Sequence, residues 1–219
     1  MAKRSPPQIS SRKEPKQARS NELVSAVLEA AIQVLAKEGA TRFTMARVAE
    51  KAGVSVGSLY QYFPNKAAIL FRLQNDEWQQ TSRMLCQILE DLAAPPLQRL
   101  RTLVHTFVHS ECEEAQIRVA LNDAAPLYRN APEAQEAKAS SEQAIERFMD
   151  ETLPDAPQHD RILAGDLITT TLSCVGKQFS TTPRSIEEIQ VYADALADML
   201  CAYLYKLQRR QGKKDRQKS

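Results

Sequence analysis

Glycine is scarce in this 219-residue chain, with six in all, and strand-like alternation of apolar and polar residues is rare. Both points weigh against a β-rich fold. No apolar run approaches the roughly 18 residues of a membrane-spanning helix. The first twenty residues are basic and polar and lack the apolar stretch of a secretory signal. A cytoplasmic protein with no membrane partner is therefore expected. The four cysteines, Cys86, Cys112, Cys174 and Cys201, fall at intervals of 26, 62 and 27 with no CxxC pair. That spacing supports neither a zinc ribbon nor a disulfide framework, so reduced thiols are expected. There is no glycine-rich phosphate loop, no GxSxG elbow and no HExxH pair. His159 adjoins Asp160, but neighbours on a helix point apart, and catalysis needs converging groups. No enzyme and no cofactor are expected.

What is present suits a helical protein with a sizeable core: 43% of residues are hydrophobic and 26% charged. The net charge of +2 conceals an asymmetry. Residues 1–66 carry 11 Lys or Arg against 5 Asp or Glu, residues 67–205 carry 11 against 21, and residues 206–219 carry 7 against 1. A basic first third on an acidic body suits a polyanion that meets one end. Solvated tails alone would produce the same pattern. Residues 1–20 and 208–219 are poor in large apolar side chains, so a mobile arm and a mobile tail are expected.

Apolar periodicity predicts helices with short breaks and no internal repeat. The first covers 21–38, with Leu23, Val27, Ala30, Ala31, Val34 and Leu35 on one face and Gly39 as its C-terminal break. Short helices follow over 45–52, with Thr44 as N-cap, and over 56–62, with Ser55 as N-cap. Pro64 stops the latter and Asn65 caps a long helix over 66–92, whose stripe runs from Leu70 to Leu92. Further helices are predicted over 97–114, 115–124, 132–152, 159–179 and 185–207. The last opens on a Ser185/Glu188 capping box, and its stripe is Ile189, Tyr192 or Ala193, Leu196, Leu200, Tyr203 or Leu204, and Leu207. Small residues in the helix before it, including Gly165 and Gly176, permit close helix approach.

The informative segment is 42–66, RFTMARVAEKAGVSVGSLYQYFPNK. Two short helices joined at a glycine make a helix-turn-helix, with its motif over about 44–63. In such a pair the first helix braces on the phosphate backbone and the second enters the major groove. Val48, Ala49, Val54 and Leu59 suit the core between them. Gly57 and Ser58 add little bulk to the first turn of the second helix. Ser58 and Gln61 are able to hydrogen-bond base edges. Tyr60 and Tyr62 can direct hydroxyls at phosphates. Thr44, Ser55 and Lys66 lie at helix starts, and Arg42 and Arg47 add cations. The same helix pair also occurs in proteins that bind no DNA, where Tyr60, Tyr62 and Phe63 would be core aromatics.

Residues 21–71 resemble the N-terminal domain of the TetR (tetracycline-repressor-like, AcrR-type) family of bacterial transcriptional regulators. The likeness rests on AVLEAAIQVLAKEGA, on FTMARVAEKAGVSVGSLYQYFPNKAAIL and on the long helix that follows. It implies an all-α protein. An N-terminal three-helix helix-turn-helix domain (21–66) would be joined by a long helix to a C-terminal helical effector-binding and dimerisation domain (67–207). The family's DNA-contacting positions match Thr44, Arg47, Ser55, Gly57, Ser58, Tyr60, Tyr62 and Lys66. Val56 stands where relatives are often polar or charged, and suits a thymine methyl. Lys13, Lys16 and Arg19 of the arm are expected to track phosphates or the minor groove.

The resemblance further implies a homodimer on a palindromic DNA operator, through the last two helices, released by a small-molecule effector. The effector candidates are Phe107, Cys112, Arg118, Asn122, Tyr128, Thr170 and Cys174. The alternative for the last two helices is that their stripes are monomer core. His105, His109 and Cys112 share a helix flank at i, i+4 and i+7, a spacing open to zinc, although no metal site is expected. The rival reading of the whole chain is a helical protein-interaction module without specific DNA readout.

Overall fold

The computed structural model describes residues 18–115, 117, 118, 121 and 133–216, with side chains over 20–115, 117, 118, 121 and 141–209. Every regular element among these residues is a helix, as the sequence leads one to expect. In order they are α1 (Ala18–Arg42), α2 (Met45–Ala52), α3 (Val56–Tyr62), α4 (Lys66–Leu89), α5 (Pro96–Glu113), α6 (Glu133–Thr152), α7 (Gln158–Phe179) and α8 (Ile186–Arg216). None is long and apolar enough to cross a membrane. The described residues divide into two compact units, one of 18–79, 117, 118, 121 and 133–136, the other of 80–115 and 137–216.

In the first unit Gly39 takes φ 71° and ψ 171° and interrupts α1. The break falls where the sequence predicts, but three residues of helix resume after it and deliver Phe43 into the core. That core gathers Val27, Ala31, Val34 and Leu35 of α1, Val48 and Ala49 of α2, and Leu59 and Tyr62 of α3. Phe63 and Ile69, Leu70 and Phe71 of α4 complete it. Helices of 8 and 7 residues, such as α2 and α3, are marginal alone in water. Burial at about 1.5–3 kcal/mol per large apolar side chain is what holds them.

The boundary expected at 66/67 is not where the chain divides. The first half of α4 folds with the helix-turn-helix because Ala67, Ala68, Ile69, Leu70, Phe71 and Leu73 are buried. Leu121 joins the same core from far along the chain. Its neighbour Arg118 places Nη1 at 3.2 Å from Oε1 of Glu77 on α4. The end of α4 also differs from expectation, at Leu89 rather than residue 92. There the Asp91 carboxylate accepts the Ala93 amide at 3.1 Å, a turn that leaves the ladder ahead of Pro95. Leu89 therefore closes the stripe at 2% exposure, and Leu92 is 76% exposed.

The second unit is built round α5. Its Leu100, Leu103, Val104, Phe107 and Val108 meet Phe148 and Met149 of α6, Ala164, Ile168 and Leu172 of α7, and Ile189, Ala193, Leu196, Leu200 and Leu204 of α8. The predicted α8 stripe is thus core of the single chain. The close approach allowed by α7's glycines is also used inside the chain. A Cβ on Gly176 would lie 2.8 Å from Cε1 of Phe107, and one on Gly165 would lie 3.0 Å from Cγ2 of Ile145. The capping box forms as expected: the Ser185 amide donates to Glu188 at 2.7 Å and the Glu188 amide to the Ser185 hydroxyl at 3.2 Å. These contacts hold the Glu188 carboxyl below its ordinary range. At its other end α8 continues to Arg216, into the stretch expected to be a mobile tail. Gln, Arg and Lys are good helix formers, and Gln208 ties the helix down by donating to the Thr152 carbonyl at 2.9 Å.

Candidate nucleic-acid interface

Local capping sets the geometry of α2 and α3. Thr44 is extended and its hydroxyl accepts the Arg47 amide at 3.4 Å, opening α2. Gly53 closes it at φ 67°, a left-handed conformation that glycine adopts without strain. Its amide and that of Val54 return to the carbonyls of Glu50 and Ala49 at 3.2 and 3.0 Å. Two residues on, Ser55 is again extended, and its hydroxyl accepts the Ser58 amide at 3.0 Å to start α3. Asn65 accepts the Ala68 amide at 3.0 Å and starts α4. Three consecutive helices are thus each begun by the side chain the sequence nominates.

The result is a two-sided α3. Leu59 is fully buried and Tyr62 is 9% exposed, both against the core. Val56 and Tyr60 are 41% and 42% exposed, and Gly57 and Gln61 are exposed beside them. Positions i, i+1, i+4 and i+5 form one continuous helical face. It carries a valine, a bare glycine backbone, a phenol and an amide. Ser58 is half-buried at its edge. Thr44, Arg42, Arg47 and Lys66 are exposed on the flanking elements, and Arg47 is ion-paired with Glu38 of α1. Tyr62 differs from the other nominated residues, because its ring belongs to the core.

Of the seven nominated effector residues, five lie among the described residues. Phe107 is buried against Gly176. Cys112 is half-buried, and burial pushes its thiol above the ordinary range, with Glu111 adding to the effect. Arg118 belongs to the first unit, paired with Glu77. Thr170 and Cys174 are exposed on α7, while Asn122 and Tyr128 lie outside the described residues. Nε2 of His105 lies 3.2 Å from Oδ1 of Asp194 on α8. Among the described residues no group of three His, Cys, Asp or Glu is placed to hold a metal.

Sequence reasoning missed a second apolar face on the last helix, and α7 presents an outward apolar face as well. On α7, Leu163 and Leu167 are 58% and 44% exposed, in line with Thr170 and Cys174. On α8, Val191, Met199 and Tyr205 are 64%, 53% and 53% exposed, in line with Ala195 and Ala202. The spacings of four, eight, eleven and fourteen were present in the sequence, but the stronger inward stripe masked them.

The geometry defines a helix-turn-helix DNA-binding protein with a second helical domain, and comparison with known proteins agrees. Residues 27–73 match the family model for bacterial regulatory proteins of the TetR family, and residues 95–207 match the tetracycline repressor-like C-terminal domain. The chain belongs to the TetR family of DNA-binding transcription regulators, a family of regulators and not of enzymes. It is 35% identical over 83 residues to the nucleoid occlusion factor SlmA of Vibrio campbellii, a match that spans 37% of this chain and 42% of that relative. Among solved structures it is similar to a protein described as a TetR-family regulator from Mesorhizobium loti. That pair has a TM-score of 0.68 and 17% identity, and the match covers 85% of this chain and 98% of that one. It also resembles FadR of Bacillus subtilis, solved with stearoyl-CoA, at TM-score 0.61 and 18% identity over 82% and 96% of the two chains. NalD of Pseudomonas aeruginosa, a repressor of a multidrug efflux pump, is similar at TM-score 0.56 and 18% identity over 85% and 96%.

Proposed function

We propose that the protein is a repressor that binds a palindromic operator as a homodimer and is released by a small-molecule effector in the cytoplasm. The observation that carries the DNA reading is the orientation of α3. Its core side is fixed by Leu59 and Tyr62, which leaves Val56, Gly57, Tyr60 and Gln61 turned outward. A face about 12 Å across is what the major groove admits. Gln61 and Ser58 then meet base edges, Val56 meets a thymine methyl, and Tyr60, Thr44, Arg42, Arg47 and Lys66 hold phosphates. Arg47 exchanges Glu38 for a phosphate oxygen as it does so.

Dimerisation is favoured by the outward faces of α7 and α8. Leu163, Leu167, Val191, Met199 and Tyr205 expose apolar surface on two consecutive helices of one unit, the kind of surface that marks a protein interface. Two copies would bury it as a four-helix arrangement. One small head makes few base contacts, so a symmetric pair on two half-sites supplies the affinity.

The effector is expected to be small and partly apolar. Phe107 and Cys112 on α5 are the described residues best suited to its wall, whereas Thr170 and Cys174 suit the dimer face. FadR in complex with stearoyl-CoA is one neighbour of this fold with an acyl ligand. An effector releases DNA only to the extent that it prefers one conformation over the other. The test is selection of binding sites from random duplexes, followed by titration of candidate acyl compounds into the complex. Enrichment of a palindrome that a bound ligand dissociates supports the reading. Enrichment without release by any ligand shown to bind would contradict the effector half of it.

A further inference from the structure

The outward face of α8 repeats every seven residues. Glu188, Ala195, Ala202 and Arg209 are exposed at that spacing. Seven residues make nearly two turns, so the four lie in one line along the helix. Val191, Met199 and Tyr205 are exposed beside them, while Ile189, Ala193, Leu196, Leu200 and Leu204 face the core of the unit. Asp194 and Asp198 pair with Arg101 of α5, which leaves Met199 at the middle of the outward line. The face is therefore acidic at its start, apolar through its middle and basic at its end.

A groove of about 450 Å³ adjoins the acidic start. It is lined by Phe179, Val191, Tyr192 and Ala195, with the carboxylate residues Glu187 and Glu188. The Phe179 and Tyr192 rings stack with centroids 3.8 Å apart and planes within 10°. Aromatic rings beside carboxylates suit a group that is both aromatic and cationic. Such a group stands at the other end of the same face, where Cζ of Arg209 lies 5.8 Å from the Tyr205 ring centroid. It cannot reach the groove of its own chain, because thirteen residues of helix separate Tyr205 from Tyr192, about 20 Å. A second copy of the chain can deliver it.

We propose that each groove receives Tyr205 and Arg209 of a second copy, with the two α8 helices antiparallel about a midpoint between residues 198 and 199. In that register Ala195 faces Ala202, Tyr192 faces Tyr205 and Glu188 faces Arg209. Each contact occurs twice, as a two-fold symmetric interface requires. Charge selects the direction. A parallel pair would set Glu188 against Glu188 and Arg209 against Arg209, and like charges opposed across an interface are costly. Glu188 also accepts the Ser185 amide, but a carboxylate has acceptor sites for both partners. The register rests on the dimeric reading above and adds to it the residues that complete each groove.

The test is disulfide trapping between chains that carry Cys201→Ser, so that an introduced thiol is alone on α8. One chain carries Ala195→Cys and the other Ala202→Cys. Mild oxidation of the mixture is expected to join two α8 peptides, identified by mass, while each chain oxidised alone yields no such link. In the antiparallel register two copies of residue 195 lie about 10 Å apart along the axis, beyond the reach of a disulfide. Either chain linking α8 to α8 by itself overturns the register, as does a mixture that is dimeric by light scattering but forms no such link. Arg209→Glu replaces two ion pairs by two repulsions and is expected to weaken the dimer roughly tenfold. An unchanged dissociation constant overturns the charge pairing. A parent that is monomeric by light scattering overturns the dimeric reading itself, and the register with it.

Discussion

The Ser55 and Ser58 hydroxyls lie 2.8 Å apart, and Ser55 also accepts the Ser58 amide at 3.0 Å. The two side chains close the first turn of α3 on each other. Ser55 is exposed and Ser58 half-buried, so the cap of the recognition helix also borders the surface assigned to DNA. Capping and recognition are separable here by substitution. Ser55→Ala should cost about 1 kcal/mol of stability through the lost cap. Ser55→Asp should retain the cap and melt close to the parent, yet bind DNA more weakly, because it sets a carboxylate beside phosphate. Melting curves and duplex titrations at two salt concentrations check both. Equal DNA affinity for Ser55→Asp and parent would remove Ser55 from the interface.

Gly57 offers a change of opposite sign in stability and binding. A Cβ there would meet only the Ser55 hydroxyl at 3.8 Å, an ordinary contact. Glycine within a helix costs roughly 0.5–1 kcal/mol relative to alanine, so Gly57→Ala should raise the melting temperature slightly. The new methyl stands on the outward face and should weaken operator binding by on the order of 1 kcal/mol. A variant both more stable and equally tight would show that the Gly57 edge does not enter the groove.

Tyr60 and Tyr62 are two residues apart and should behave differently. Tyr60→Ala, at an exposed position, should leave stability within about 0.5 kcal/mol and lower DNA affinity. Tyr62→Ala empties part of the core and should cost roughly 3 kcal/mol. If Tyr60→Ala melted early and Tyr62→Ala did not, the orientation of α3 would be reversed.

A charge on the outward apolar face separates assembly from folding. Leu167→Glu and Met199→Glu alter residues 44% and 53% exposed, so each chain should fold as the parent does. Light scattering at micromolar concentration should then report monomers, with palindrome binding reduced to that of a half-site. A dimer that survived both changes would place the interface elsewhere.

Much of this was legible in the sequence wherever the determinant is local. Thr44, Ser55, Asn65, Gly53 and the Ser185/Glu188 pair mark helix ends through hydrogen bonds spanning three to five residues, and each end is found as read. Long-range packing was not legible. Nothing near Leu121 or Arg118 announces that they fold with a helix more than forty residues earlier. The inward role of Gly165 and Gly176 depends on Ile145 and Phe107, which periodicity cannot supply. On α8 two apolar stripes share one helix, and only the fold decides which is core. Tyr60 and Tyr62 carry the same chemistry, and only the register of a seven-residue helix separates them.

The central claim is that the outward face of α3 reads DNA in a symmetric pair. Repeated selection of bound sequences from a random duplex pool by the full chain tests it most directly. The account predicts convergence on an inverted repeat whose half-sites are centred about 34–36 Å apart or a multiple of that, with a Gln61→Ala chain converging on a site altered within each half. A pool that stays random after selection, or the same site recovered by both chains, would contradict it.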